Sequence, residues 1–132
     1  MNVIYCRTAI ASYNRIKDQI DICEKFLSSK GMVIDKVYDD DGYSGLNAER
    51  PQFQEMMNNI DNIKSITIGS PNRLSRDPVL LLELYKKLDK RNIVLYDAER
   101  QTNIIDSMNK EAISEYISGL IDDVKKDIHN KR

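Results

Sequence analysis

The sequence predicts an α/β protein: a mainly parallel sheet of about four to five strands with helices on both faces, followed by one long C-terminal helix. Three observations carry this. Short apolar, β-branched runs alternate with longer segments of helical periodicity. Proline, glycine and aspartate punctuate the joints between them. Each predicted strand before the last is followed by a helix, and strands joined through helices return parallel.

The elements follow in order. Val3 to Arg7 is an apolar strand. Arg15 to Ser29 places Ile16, Ile20, Cys23, Phe26 and Leu27 at helical spacing, and Lys30-Gly31 closes that helix with a C-terminal glycine. Met32 to Tyr38 reads as a second strand, running into an acid-rich turn at Asp39-Asp40-Asp41-Gly42. Pro51 opens a helix through Ile60, since proline's missing N–H is no loss in the first turn. Ile63 to Ile68 is a third strand, Pro78 to Lys90 a third helix and Ile93 to Tyr96 a fourth strand. The polar stretch Glu99 to Met108 reads as a linker. From Met108 to about Ile128 the apolar positions Ile113, Tyr116, Ile117, Leu120, Ile121, Val124 and Ile128 share one face of a helix. At 1.5 Å per residue that helix is roughly 30 Å long, and its stripe needs either the parent domain or a partner to cover it.

Composition sets the bounds. A chain of 132 residues with 41% hydrophobic and 31% charged side chains is one ordinary globular domain, without internal repeats. No apolar run approaches the roughly 20 residues a bilayer requires, so no membrane association is expected. The N-terminus runs directly into a strand and lacks the features of a secretory signal, which makes the cytoplasm the expected location. Cys6 and Cys23 are isolated and read as buried small hydrophobes rather than metal ligands or a disulfide. The formal charge of −1 lacks the basic excess of a self-sufficient DNA-binding domain, so any nucleic-acid contact has to be local. His129, the only histidine, lies in a polar tail and reads as a surface residue.

Chemistry concentrates in the arginines. Arg73 and Arg76 lie three residues apart just past the Ile66-Thr67-Ile68 run, Arg7 ends the first strand, and Arg50 follows the D-G-Y-S-G turn. Ligand sites in parallel sheets lie at the carboxyl ends of the strands, where Arg7, Asp41 and Arg73 fall. Guanidinium groups there point to phosphate, whose oxygens accept two parallel hydrogen bonds from the planar fork.

The combination I-Y-C-R at Ile4 to Arg7, Gln19 in the first helix, D-D-G-Y-S-G-L-N-A-E-R-P-Q-F at Asp40 to Phe53, and N-R-L-S-R-D at Asn72 to Asp77 resembles the catalytic domain of serine recombinases, the resolvase and invertase family. The resemblance runs from Met1 to about Gln101, and the final helix matches the family's dimerisation helix in place and length. The D-G-Y-S-G and R-P-x-F segment is most like the large serine recombinases of phages and conjugative transposons. On this reading residues 1–105 form the catalytic domain. Residues 106–132 form the dimerisation helix and the start of a linker to a DNA-binding region.

The resemblance implies site-specific DNA breaking and joining without metal or nucleotide cofactor. In the family, a serine two residues after the first arginine attacks the scissile phosphodiester. The products are a phosphoserine link to the 5′ end and a free 3′ hydroxyl. By motif position Arg7, Arg50, Arg73 and Arg76 form the phosphate clamp, Asp41 orients an arginine, and Ser44 and Gln19 support the site by hydrogen bonds. Arg73 and Arg76 face DNA; the basic tail that ends in Lys131 and Arg132 reads either as a solvated helix end complementing the dipole or as the start of an arm reaching DNA. The helix Met108 to Ile128 joins subunits into a homodimer or tetramer.

One departure falls on the chemistry itself. The nucleophile position is Ala9, which has no hydroxyl, so the usual cleavage is not expected of the chain as written. Asn72 stands where resolvase-like members commonly have aspartate. Ser12, three residues past Ala9, is a candidate substitute nucleophile and equally a cap for the first helix. Two readings follow: a recombinase catalytic domain disabled at Ala9, or a non-catalytic regulatory or binding module derived from one. A receiver-like phosphoacceptor needs acidic residues after the first and third strands, where this chain has Arg7 and Asn72-Arg73.

Overall fold

Strand β1 (Asn2–Thr8) sets the layers of the computed structural model, which describes residues 1–44, 49–107 and 122. Its side chains alternate between two cores: Val3 and Tyr5 enter one, Ile4 and Cys6 the other, all four fully buried. A strand apolar on both faces belongs at the centre of a parallel sheet. The strand order is accordingly β2-β1-β3-β4-β5, in which β2 (Lys36–Asp41), β1, β3 (Ser65–Ile68) and β4 (Val94–Asp97) run parallel to one another. The short β5 (Thr102–Asn103) runs antiparallel to β4 at the edge.

Helices cover both faces, as the sequence predicts. Helix α1 (Tyr13–Ser29) lays Ile16, Cys23, Phe26 and Leu27 on the Ile4–Cys6 face. On the other face, Met56 of α2 (Pro51–Asn58) and Tyr85 and Leu88 of α3 (Pro78–Lys90) pack with Ile66, Ile68 and Leu95. Burying each large apolar side chain of this kind contributes about 1.5–3 kcal/mol. The joint at Lys30-Gly31 behaves as its sequence indicates. Gly31 has φ +69° and follows a cap whose N–H bonds back to Leu27 and Ser28.

Several boundaries differ from the expectation, among them the end of α2 at Asn58 ahead of Ile60 and the shift of β4 to Val94–Asp97. The second strand lies later than Met32 to Tyr38: the acidic run Asp39-Asp40-Asp41 is in β2, paired through Thr8↔Asp41. Poor strand propensity yields here because Asp40 and Asp41 each find hydrogen-bond donors at the strand end. Helix α1 starts at Tyr13, ahead of Arg15, with Ser12 as its cap. The third strand is shortened at its start by a 3₁₀ turn at Ile60–Asn62. The stretch read as a linker contains β5 and its turn, where Gln101 takes φ +54° without being glycine.

The stripe predicted from Met108 to Ile128, and with it Lys131 and Arg132, lies outside the described residues apart from Asp122, which is helical and exposed. Among the described residues, no helix is long and apolar enough to cross a membrane.

Candidate functional site

The sheet's strand order reverses at β1, whose neighbours β2 and β3 follow it on opposite sides. A crevice forms where such chains part at the carboxyl ends of the strands. It is a cleft of about 200 Å³ lined by Arg7, Thr8, Ala9, Ile10, Arg15, Asn72, Arg73 and Arg76. Three segments supply it. Strand β1 delivers Arg7 and Thr8 and releases Ala9 and Ile10 into an exposed loop. The first turn of α1 supplies Arg15. After β3, a 3₁₀ turn at Pro71–Arg73 leads to the fully buried Leu74. Leu74 anchors the segment that carries Arg73 and Arg76, and Asp77 then caps α3 by accepting from the Val79 N–H at 2.9 Å.

Arg7 is 2% exposed, yet its guanidinium is not left unsatisfied. Nε donates to the Arg73 carbonyl at 3.0 Å, Nη1 to the Tyr43 carbonyl at 2.9 Å and Nη2 to the Asn72 carbonyl at 2.6 Å. One side chain therefore ties the loop after β2 to the turn after β3. Its own backbone is held by Gln19, which accepts from Arg7 N at 3.0 Å and donates Nε2 to Arg7 O at 2.9 Å. That amide replaces a strand partner where β3 diverges, since β1 pairs with β3 only through Ile4↔Thr67. Arg73 Nη1 adds a bond to the same Arg7 carbonyl at 3.3 Å. Burial, then the neighbouring Arg50, Arg73 and Arg76 charges, pull the Arg7 pKa below its ordinary value, with Tyr5 opposing them.

Arg50 sits behind the cleft and does not line it. Nη1 donates to the Tyr5 hydroxyl at 3.1 Å and to the Arg73 carbonyl at 3.3 Å, and the guanidinium stacks over the Phe53 ring at 4.2 Å. The Tyr5 hydroxyl donates a hydrogen bond to Asp40 Oδ2 at 2.7 Å. Asp40 also accepts from the backbone N–H of Gln52 and Phe53, each at 2.9 Å, so a residue of β2 caps the N-terminus of α2. Burial, then the Asp40 hydrogen bond, push the Tyr5 phenol well above its usual range.

Asp41 has a different role from the one its motif position implies. Its Oδ1 accepts from Thr8 Oγ1 and, at 2.7 Å, from Ser12 N–H; among the described residues no arginine reaches it. These two bonds hold its pKa below the ordinary carboxylate value. Asp41 thus pins both ends of the loop containing Ala9. Gly42 follows at φ +87°, donating to Thr8 O at 2.9 Å; a Cβ there would meet Ala11 Cβ at 3.3 Å. Ser12 Oγ accepts from Arg15 N at 3.3 Å as the α1 cap and is not among the residues lining the cleft. Ser44 is exposed just past Tyr43.

Of the residues singled out by sequence, Ala9, Arg7, Arg73 and Arg76 meet in one cleft, and Gln19, Arg50 and Asp41 stand around it as supports. Sequence reasoning missed Arg15, Tyr5, Asp40 and Thr8. The spacing Tyr5-x-Arg7 on a strand puts the two side chains on the same face, which was a usable signal for Tyr5. Among the described residues, no group of three or more His, Cys, Asp or Glu is placed to hold a metal ion.

Comparison with known proteins places this geometry. No curated protein sequence matches the chain. Among solved structures, the N-terminal catalytic domain of TP901-1 integrase superposes with a TM-score of 0.75 at 26% identity, covering 90% of this chain and 97% of that one. A resolvase-family site-specific recombinase from Streptococcus pneumoniae matches 99% of this chain and 97% of its own, with a TM-score of 0.68 at 19% identity, a likeness of fold. The first open reading frame of transposon ISC1904 from Sulfolobus solfataricus P2 shares the fold over 71% of this chain and 64% of that one, with a TM-score of 0.61 at 23% identity. The resolvase N-terminal domain profile matches residues 2–132, and the chain belongs to that family, the catalytic domain of the serine recombinases.

Proposed function

We propose that this chain is the catalytic domain of a site-specific DNA recombinase, built to hold a DNA phosphodiester, with its cleavage step disabled at Ala9. The observation that carries the reading is the place of Ala9, whose neighbours in the cleft are Arg7, Arg15, Arg73 and Arg76. Phosphoryl transfer asks little of a protein beyond a nucleophile and preorganised positive charge around the equatorial oxygens. The charge is present here and the nucleophile is a methyl group.

Exposed Arg76 and half-buried Arg73 contact the phosphate. Buried Arg7 holds the two flanking loops at fixed spacing, using three of its five N–H groups to do so. Arg50 braces the Arg73 carbonyl from behind. Gln19 keeps the end of β1 in register and Asp41 fixes the loop that presents position 9. Ser44 lies on the loop that Arg7 ties down through Tyr43. Ser12 is engaged as a helix cap, which argues against its replacing the missing nucleophile. Lys131 and Arg132 extend the DNA contact, and the stripe from Met108 to Ile128 joins subunits into a dimer or tetramer. The cytoplasm, where the DNA is, is the compartment of action.

A regulatory role is favoured by one specific feature: the supports around position 9 are complete although position 9 is inert. A chain of this kind binds DNA and partner subunits without cutting. The test is Ala9→Ser incubated with fragmented genomic DNA, followed by denaturing recovery of protein-linked DNA. Covalent adducts with Ala9→Ser and none with the unaltered chain are expected. Adducts with the unaltered chain that vanish in Ser12→Ala identify Ser12 as a nucleophile and overturn the disabled reading. No adduct with Ala9→Ser removes the recombinase reading of this cleft.

A further inference from the structure

The cleft around Ala9 is lined by one guanidinium, that of Arg15, beyond those that the family resemblance assigns to the phosphate clamp. Arg7, Arg15, Arg73 and Arg76 line it from three separate segments, and among the described residues no acidic one lines it. The nearby carboxylates are committed elsewhere: Asp41 to Thr8 and Ser12, Asp40 to Tyr5 and the α2 N-terminus, Asp77 to the α3 N-terminus. Arg15 is exposed and stands in the first turn of a 17-residue helix that has no acidic residue in that turn, so the helix dipole adds to its charge. Arg7, 2% exposed, has its guanidinium bonded to three backbone carbonyls and adds its charge to the cleft from behind those bonds.

A phosphodiester brings one negative charge, whereas a terminal phosphate monoester brings about 1.5 to 2 at neutral pH and three acceptor oxygens. Four guanidiniums around about 200 Å³ match the second better than the first. Ala9 brings no hydroxyl to the lining of the cleft, so a terminal phosphate meets no nucleophile at that position. We propose that the Ala9 cleft captures a terminal phosphate monoester on a DNA strand, with Arg15 as the side chain that gives it preference over an internal phosphodiester. The inference rests on the DNA-binding reading above and goes further, because it turns a disabled cutting site into an end-recognition site.

The test compares three fluorescent single-stranded oligonucleotides of one sequence, bearing a 5′-phosphate, a 3′-phosphate or hydroxyls at both ends, by anisotropy at fixed ionic strength. At pH 7.5 one phosphorylated strand is expected to bind about tenfold more tightly than the hydroxyl-ended strand, and which one identifies the end recognised. The ratio is expected to shrink at pH 5.0, as the monoester takes up its second proton near pKa 6. The hydroxyl-ended strand carries no monoester, so its own change in affinity between the two pH values gives the contribution of everything except the terminal phosphate. Arg15→Gln, an exposed substitution, is expected to bring the three affinities together at pH 7.5, with circular dichroism confirming the fold. Equal affinities for all three strands in the unaltered chain overturn end recognition and leave DNA binding standing. Failure of all three to bind overturns both.

Discussion

The Tyr5 hydroxyl lies 2.7 Å from Asp40 Oδ2 and donates a hydrogen bond to it, joining the central strand to the edge strand beneath the cleft. The same oxygen accepts from Arg50, so one phenol connects the cap of α2 to the arginine that braces the Arg73 carbonyl. Removing this buried hydroxyl takes one hydrogen bond from each of two partners, leaving Asp40 Oδ2 the Phe53 N–H and Arg50 Nη1 the Arg73 carbonyl.

Tyr5→Phe is therefore expected to lower stability by about 1–3 kcal/mol, although it deletes a single atom from a well-packed ring. Asp40→Asn is expected to be similarly harmful, since it weakens the α2 cap as well. The double variant, measured by urea unfolding, is expected to lose less than the sum of the two. Strict additivity would show that the bond does not couple the strands.

Gln19 is the second support. Gln19→Leu keeps the volume and removes both Gln19 bonds to the buried Arg7 backbone, taking the side-chain acceptor from its N–H and leaving its carbonyl the 3.3 Å bond from Arg73 Nη1. A loss of about 2 kcal/mol or more is expected, with faster amide hydrogen exchange at Arg7 than at Ile4, which keeps its ladder bonds. Unchanged exchange at Arg7 contradicts this role.

Gly42 and Gly31 form a matched comparison. Both have positive φ, but a Cβ on Gly31 meets nothing within 4 Å, whereas one on Gly42 comes to 3.3 Å from Ala11 Cβ. Alanine at Gly31 is expected to cost about 1 kcal/mol, from backbone strain alone. Alanine at Gly42 is expected to cost more, because the loop holding Ala9 has to shift as well. Equal losses in thermal unfolding would show that the loop yields freely.

Burial pushes the Cys23 thiol up to about 12 and that of Cys6 higher still. In the native state neither is expected to react with a thiol reagent at pH 8, and both react after denaturation. The sign of the pH effect follows. The unfolded chain releases these protons first, near the ordinary thiol value of 9.0, so the stabilisation is complete below that pH. It declines as the pH rises from 9.0 toward the native value of about 12. A stability flat from pH 8 to 11 in denaturant titrations contradicts it.

Much of this architecture is legible in the residues. The 3.6-residue repeat of α1 and the apolar run of β1 bury strongly, so pattern alone finds them, and Pro78 marks the start of α3. The Asp39-Asp40-Asp41 run misleads because a strand there depends on partners far along the chain: Tyr5, Thr8 and the α2 N-terminus. The two-residue β5 is too short to show any alternation, and its turn uses Gln101 where glycine would have signalled it. Within the site, arginines at strand ends announce themselves by charge and spacing. Arg15 does not, since a lone arginine in the first turn of a helix looks like ordinary surface until the loop places it opposite Arg73 and Arg76. Asp41 shows the limit of motif position as a guide to contacts, for the carboxylate linked to an arginine through Tyr5 is its neighbour Asp40.

The most direct measurement is a ¹⁵N–¹H titration of the chain with a short duplex DNA at low salt. If the Ala9 cleft is where DNA phosphate binds, the amide shifts concentrate at Ala9, Ile10, Arg15, Arg73 and Arg76, and Arg76→Glu abolishes them. Shifts confined to the far end of α1, at Lys25 and Ser29, or the same shifts in Arg76→Glu, would contradict the assignment.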